Sequence, residues 1–245
     1  MRELCFLCVT CLFLSAAFPA AASLPVPRFR PAVLGSGPES LVNQIDTQDL
    51  LKKGQKDGAI MFCCRVATTG KVVWYQTYLP VPGSDLLDEE VRKRLDKARL
   101  APAIYEHKPV EVLFYGTVFF SVVDGKPTLH VFANQDPAEL KAANDFISPQ
   151  PVIGADSKFT GLHYPRERMT VFVKGLVRLA LKVDATGNLQ ELQAVSEEPP
   201  LLGLAQAAII DFTGAKFIPA FRDGDPVESS ILVPVSYEPG SPEGP

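Results

Sequence analysis

Histidine, tryptophan and cysteine are scarce in this chain, and each scarcity removes a class of chemistry. Only three histidines and one tryptophan occur in 245 residues. His107, His130 and His163 are far apart, and none has a second ligand two or four positions away, so the spacing of a zinc site is missing. Three of the five cysteines, Cys5, Cys8 and Cys11, lie in the opening apolar run. The other two, Cys63 and Cys64, are neighbours in a segment that reads as a strand, where adjacent side chains point to opposite faces. Neither a disulfide framework nor a redox pair is expected. Charge of one sign is also missing. With 24 basic and 28 acidic residues the net charge is −4, and no basic cluster has the density of a phosphate-binding face, so nucleic acid is not an expected partner. There is no G-x-S-x-G, no Walker loop and no H-E-x-x-H, and Gly35-Ser36-Gly37 sits in a leader, not on a strand-to-helix elbow. No catalytic residue, cofactor, metal site or small-molecule substrate is expected, and the chain reads as a non-enzyme.

What is present is enough apolar material, 47% of residues, to build a packed core. Residues 4–17 form an almost unbroken apolar run behind Arg2, closed by Pro19 and by small residues at Ala20 and Ala22. This pattern predicts a signal peptide over 1–22, cleaved after Ala22, and hence a periplasmic or secreted protein, with an N-terminal membrane anchor as the alternative. Pro25, Pro27, Pro31 and Pro38 predict an extended leader over 23–45.

The strongest signal in the remainder is an internal repeat. Residues 58–120 align without a gap on residues 175–237 at a constant offset of 117. Fourteen of the 63 pairs are identical, against roughly four expected from average composition. They include Gly58/Gly175, Thr69-Gly70/Thr186-Gly187, Gln76/Gln193, Pro102-Ala103/Pro219-Ala220 and Glu111/Glu228.

Each copy predicts strand, strand, helix, strand. Val177, Leu179, Leu181 and Val183 alternate with polar or small residues as a half-buried strand does, and Gly187 supplies the positive φ of a tight turn. Leu204, Ala208 and Phe212 make a helical stripe, repeated by Leu87, Val91 and Leu95. Ser84 or Asp85 is the expected cap of the first helix. The fold class is therefore α+β: two tandem β-β-α-β modules, each a three-stranded antiparallel sheet with one helix on one face. The expected organisation is a first module over 46–135, a linker with a short helix over 136–160, a second module over 161–238 and a tail over 239–245. An added strand is expected over 128–133 and a helix over 137–146.

The closing strands differ. Outward positions of the second are Glu228, Ser230, Leu232, Pro234 and Ser236, whereas those of the first are Glu111, Leu113, Tyr115, Thr117 and Phe119. The apolar face of the first calls for a cover, either the other module or the linker. Glu111 and Glu228 read as charged guards on edge strands.

The second module resembles the C-terminal domain of the TonB family. The likeness is carried by Tyr164-Pro165, Gly175, the turn from Val183-Asp184 to Gly187, the run from Lys216 to Ala220, Asp223-Gly224 and Pro226-Val227. The first module resembles a degenerate copy of it, with Leu100 where the family prefers Phe and no Tyr-Pro ahead of Gly58. The resemblance implies a periplasmic, non-enzymatic module linked to transmembrane transport, which binds an extended peptide of an envelope or outer-membrane protein by adding it as a strand. The residues expected to carry that contact are Val227, Ser229, Ile231, Val233, Val235 and Tyr237. A homodimer is a further expectation. The alternative is a structural envelope protein whose modules pair with each other, or dimerise, without capturing a peptide.

Overall fold

The computed structural model describes residues 25–154, 156–166 and 173–239. The signal peptide expected over 1–22 and most of the expected tail lie outside the described residues. Among the described residues no helix is long and apolar enough to cross a membrane.

Short pieces open the chain: β1 (Phe29–Arg30), β2 (Val33–Leu34), α1 (Leu41–Gln44) and α2 (Thr47–Lys52). The first unit follows with β3 (Gly58–Val66), β4 (Val72–Tyr78), α3 (Asp85–Leu95), β5 (Leu100–Ala101), β6 (Ala103–Tyr105) and β7 (Lys108–Val123). A connection holds β8 (Lys126–Phe132), α4 (Pro137–Ala142) and β9 (Gln150–Ile153). The second unit holds β10 (Gly175–Val183), β11 (Leu189–Glu198), α5 (Leu204–Phe212), β12 (Phe217–Ile218), β13 (Ala220–Arg222), β14 (Asp225–Val227) and β15 (Ser229–Tyr237). The class is α+β, and both units run strand, strand, helix, strand.

The repeat is visible in atomic detail. Gly70 (φ +81) and Gly187 (φ +82) end the first turn of each unit, and a Cβ on either would run into a carbonyl oxygen, that of Leu100 or Phe217. The same carbonyl segment reaches back in both units, with Leu100 N–H donating to Gly70 O and Phe217 N–H to Gly187 O, each at 2.9 Å. Only glycine offers both the positive φ and the clearance. A cross-strand ion pair also recurs at the offset: Arg65 with Glu111, and Lys182 with Glu228 at 3.3 Å. The two glutamates are therefore not bare edge guards; each is drawn to a cation on the neighbouring strand.

Both helices bury the stripe read from sequence: Leu87, Val91 and Leu95 in α3, and Leu204, Ala208 and Phe212 in α5. The capping differs from expectation. Ser84 precedes α3 but its hydroxyl accepts the Ala59 N–H, while Gln55 accepts the Leu87 N–H at 2.9 Å. In α5 the carboxylate of Glu197 takes the N–H groups of Leu202 and Leu204. Helix ends here are satisfied from outside the helix, by residues fixed in neighbouring strands and loops.

The second sheet has three strands in the order β11-β10-β15. The first sheet grows beyond three. Its core order is β4-β3-β7, but β7 is 16 residues long, and β6, β9 and β8 pair successive stretches of its outer edge. An unpaired edge of that length is a liability, and these three strands pair all of it except residues 113–116. β9 in turn pairs with β12 of the second unit.

At Leu113 and Tyr115 the apolar outer face of the first sheet is covered from both expected sources, while Phe119 stays exposed. Cys63, Tyr78, Leu113 and Tyr115 join one buried cluster with Val177 and Val235 of the second unit and with Phe146, Phe159 and Tyr164 from the connection.

Candidate functional site

In an antiparallel pair, residues alternate between those whose N–H and C=O face the partner strand and those whose groups face away. The register of β15 on β10 is unbroken from Gly175↔Tyr237 to Val183↔Ser229. Leu232 N–H donates to a side chain, Asp136 Oδ2, at 2.9 Å, which fixes its direction as outward. By the same alternation Ser230 and Ser236 also point their amides outward, and Pro234 occupies the remaining outward position without an N–H. β15 pairs with β10 alone among the described strands. Its outward side thus carries the amide of exposed Ser230, the amide of Leu232 already bonded to a carboxylate, and then the buried pair Pro234 and Ser236.

The expected contact residues fall on the other phase. Ile231, Val233, Val235 and Tyr237 bury their side chains in the core, and by alternation their amides face β10. Ser229 is buried opposite Val183. Val227 belongs to β14, opposite Ala220, and not to the closing strand. Ser229, Ile231, Val233, Val235 and Tyr237 make the rigid back of the edge, whereas Ser230 and Leu232 make its accessible front and Pro234 and Ser236 are buried.

Asp136 is held from two sides. Its Oδ1 caps α4 by accepting the N–H groups of Ala138 and Glu139 at 2.9 and 3.2 Å. The preceding residue, Gln135, is fastened to the first unit: its amide donates to the carbonyls of Phe62 and Gly116 at 2.8 Å, and its oxygen accepts the Tyr78 hydroxyl. Beside this edge, on the outer face of the second sheet, lies an open cavity of about 250 Å³ lined by Asp136, Ala180, Lys182, Gln193, Ser230 and Leu232, among others. Ser230 and Leu232 stand where the first unit has Leu113 and Tyr115, so the face that is covered in one unit is more polar and open in the other.

A second polar cluster ties the segment before β10 to α5. Asp211, buried on α5, accepts the backbone N–H of His163 at 2.9 Å and the Tyr237 hydroxyl at 3.2 Å, and its other oxygen lies 2.8 Å from His163 Nδ1. Burial pushes its carboxyl up, and the His163 bonds pull against that. Burial and the Asp211 charge push the Tyr237 hydroxyl well up. Thr160 Oγ1 sits 3.5 Å from His163 Nε2, too far for a strong bond to a would-be nucleophile. The cluster is a structural tie. Tyr164, next in the chain, donates its hydroxyl to Val173 O and accepts the Val173 N–H. Sequence reasoning set His163 aside and did not single out Asp211 or Asp136, since neither belongs to a local motif.

The other histidines are accounted for locally. His107 has φ +64 in the turn before β7, and its Nδ1 lies 2.8 Å from Val26 O. His130 stacks on Phe132 in β8. Among the described residues no three His, Cys, Asp or Glu side chains gather around a point where a metal ion would sit.

No curated protein and no solved structure matches the chain. Residues 160–239 match the family model described as Gram-negative bacterial TonB protein C-terminal, in a single copy that does not extend to the first unit. That span runs from the Thr160–Tyr164 segment through the end of β15, and residues 160–239 of this chain are a TonB C-terminal domain.

Proposed function

We propose that the second unit is a non-enzymatic binding module of the cell envelope, linked to transmembrane transport, which captures an extended segment of an outer-membrane or other envelope protein as a strand added along β15. The first unit is its fixed platform. One observation carries this reading: β15 is paired on one side only, and its outward amide at Leu232 is met by a side chain and not by backbone. Main-chain groups left in that state favour strand addition, with affinity from the ladder and selectivity from alternate side chains. Ser229, Ile231, Val233, Val235 and Tyr237 support the site by holding the strand against β10 and α5, and Val227 pairs with Ala220 just ahead of it.

The test is calorimetric titration of the full chain with nonapeptides tiled over the extended termini of outer-membrane transporters from the same organism. Ser230→Pro deletes one outward amide without touching the β10 ladder. Binding that shifts the Ser230 amide and disappears in Ser230→Pro is expected. No binding, or binding indifferent to Ser230→Pro, sinks the reading.

A structural envelope protein is the second reading, favoured by the buried cluster shared between the two units. Sedimentation as a concentration-independent monomer argues against a scaffold built by dimerisation.

A further inference from the structure

We infer that Asp136 is a built-in occupant of the β15 edge, which an incoming strand must displace; this rests on the capture reading above. Asp136 Oδ2 stands 2.9 Å from Leu232 N, the place that the carbonyl oxygen of an added strand would take. A carboxylate is a stronger acceptor for an amide than a neutral carbonyl, so the side chain competes with any strand for that donor. Leu232 lies between the other two outward amides, and Pro234 offers none. Of the three outward donors the middle one is thus occupied, and Ser236 beyond it is buried beside Gln76, which leaves Ser230 as the exposed one.

The occupant is positioned at little conformational cost. Asp136 is 8% exposed, its Oδ1 is committed to the first turn of α4, and Gln135 is bolted to the first sheet. α4 is itself fastened to the second unit through Arg222 and Glu139 at 2.7 Å, and Asp145 accepts the Asp223 N–H at 2.7 Å just beyond it. Lifting Asp136 from Leu232 therefore strains the cap of α4 and the segment that joins the units. Capture at the edge and the seating of the connection are coupled through this one side chain.

Asp136→Ser tests the assignment in the full chain, because a serine hydroxyl caps a helix but is too short to reach Leu232. The probes are the same tiled nonapeptides, with calorimetry for affinity and amide exchange at Leu232 for the edge. Asp136→Ser is expected to bind about tenfold tighter or more, the range that a hydrogen bond to a charged acceptor is worth, and to expose the Leu232 amide before peptide is added. Asp136→Asn, which keeps the shape and the cap but not the charge, is expected to fall between. Equal or weaker binding by Asp136→Ser overturns the inference while leaving capture standing. Failure of every peptide to bind both the parent chain and Asp136→Ser overturns capture, and this inference with it.

Discussion

Gln76 on β4 donates its side-chain amide to the Ser236 hydroxyl on β15 at 2.9 Å, and both side chains are buried between the two units. The bond joins residues that belong to different copies of the repeat. Removing one partner leaves the other dry and unpaired, so Gln76→Ala is expected to cost about 1–3 kcal/mol. Urea denaturation of both single variants and the double variant checks this: with the pair coupled, the double variant loses less than the sum of the two.

Gly70 and Gly187 fill the same turn position in the two copies, and each is closed to a side chain by both φ and a facing carbonyl. Gly70→Ala and Gly187→Ala are each expected to lose at least about 2 kcal/mol. Gly37, which has open space around it and no positive φ, is the control. Thermal melts of Gly37→Ala should match the parent chain, and those of the other two should fall by about 4–8 °C.

Asp184 gives the first turn of the second unit a pH dependence that the equivalent turn of the first unit lacks. Burial pushes its carboxyl up, but hydrogen bonds from Asn188 and Thr186 outweigh that and hold it down at about 2. A carboxyl lowered in the folded state contributes stability that is fully present above the unfolded value of about 4 and is lost as pH falls through the folded value. The equivalent residue of the first unit is Ala67. Asp184→Ala should therefore be less stable than the parent by about 1 kcal/mol or more near neutral pH. In urea titrations that difference should close as the pH drops from about 5 to about 2.

Burial pushes the Cys63 thiol up to about 12, against a weaker opposing pull from its hydrogen bond to Tyr78, and burial also pushes Cys64 well up. The thiolate is the reactive form, so neither cysteine is expected to react with Ellman's reagent in the folded protein at mildly alkaline pH. Both should react in denaturant. Rapid labelling of either without denaturant would contradict their placement in the core.

The repeat, the turns and the helix stripes were legible because they are set by local periodicity and by a constant offset with no insertion. Gly187, Leu204 and Phe212 announce their roles within a few residues. The phase of β15 was not legible in the same way. Alternation shows which side chains are apolar, but which amides point to the free edge depends on the strand that pairs with the other side. For that reason the residues named from sequence, Ile231 to Tyr237 on the buried phase, make the back of the edge. Asp136 was invisible for a related reason: its contact with Leu232 spans 96 residues and involves an amide that no composition marks. The extension of the first sheet by β9 likewise depends on a connection returning to β7 after a helix.

Ile218 and Phe221, on strands of the second unit, bury their side chains in the core of the first, while Leu113 and Tyr115 of the first are buried with the second. The limits of the family match, residues 160–239, are therefore not a boundary at which this molecule comes apart. A fragment cut to residues 160–239 would leave Ile218 and Phe221 wetted and would lose the β9 partner of β12. The two halves should melt together, as one cooperative body, and a protease should find no weak seam between them.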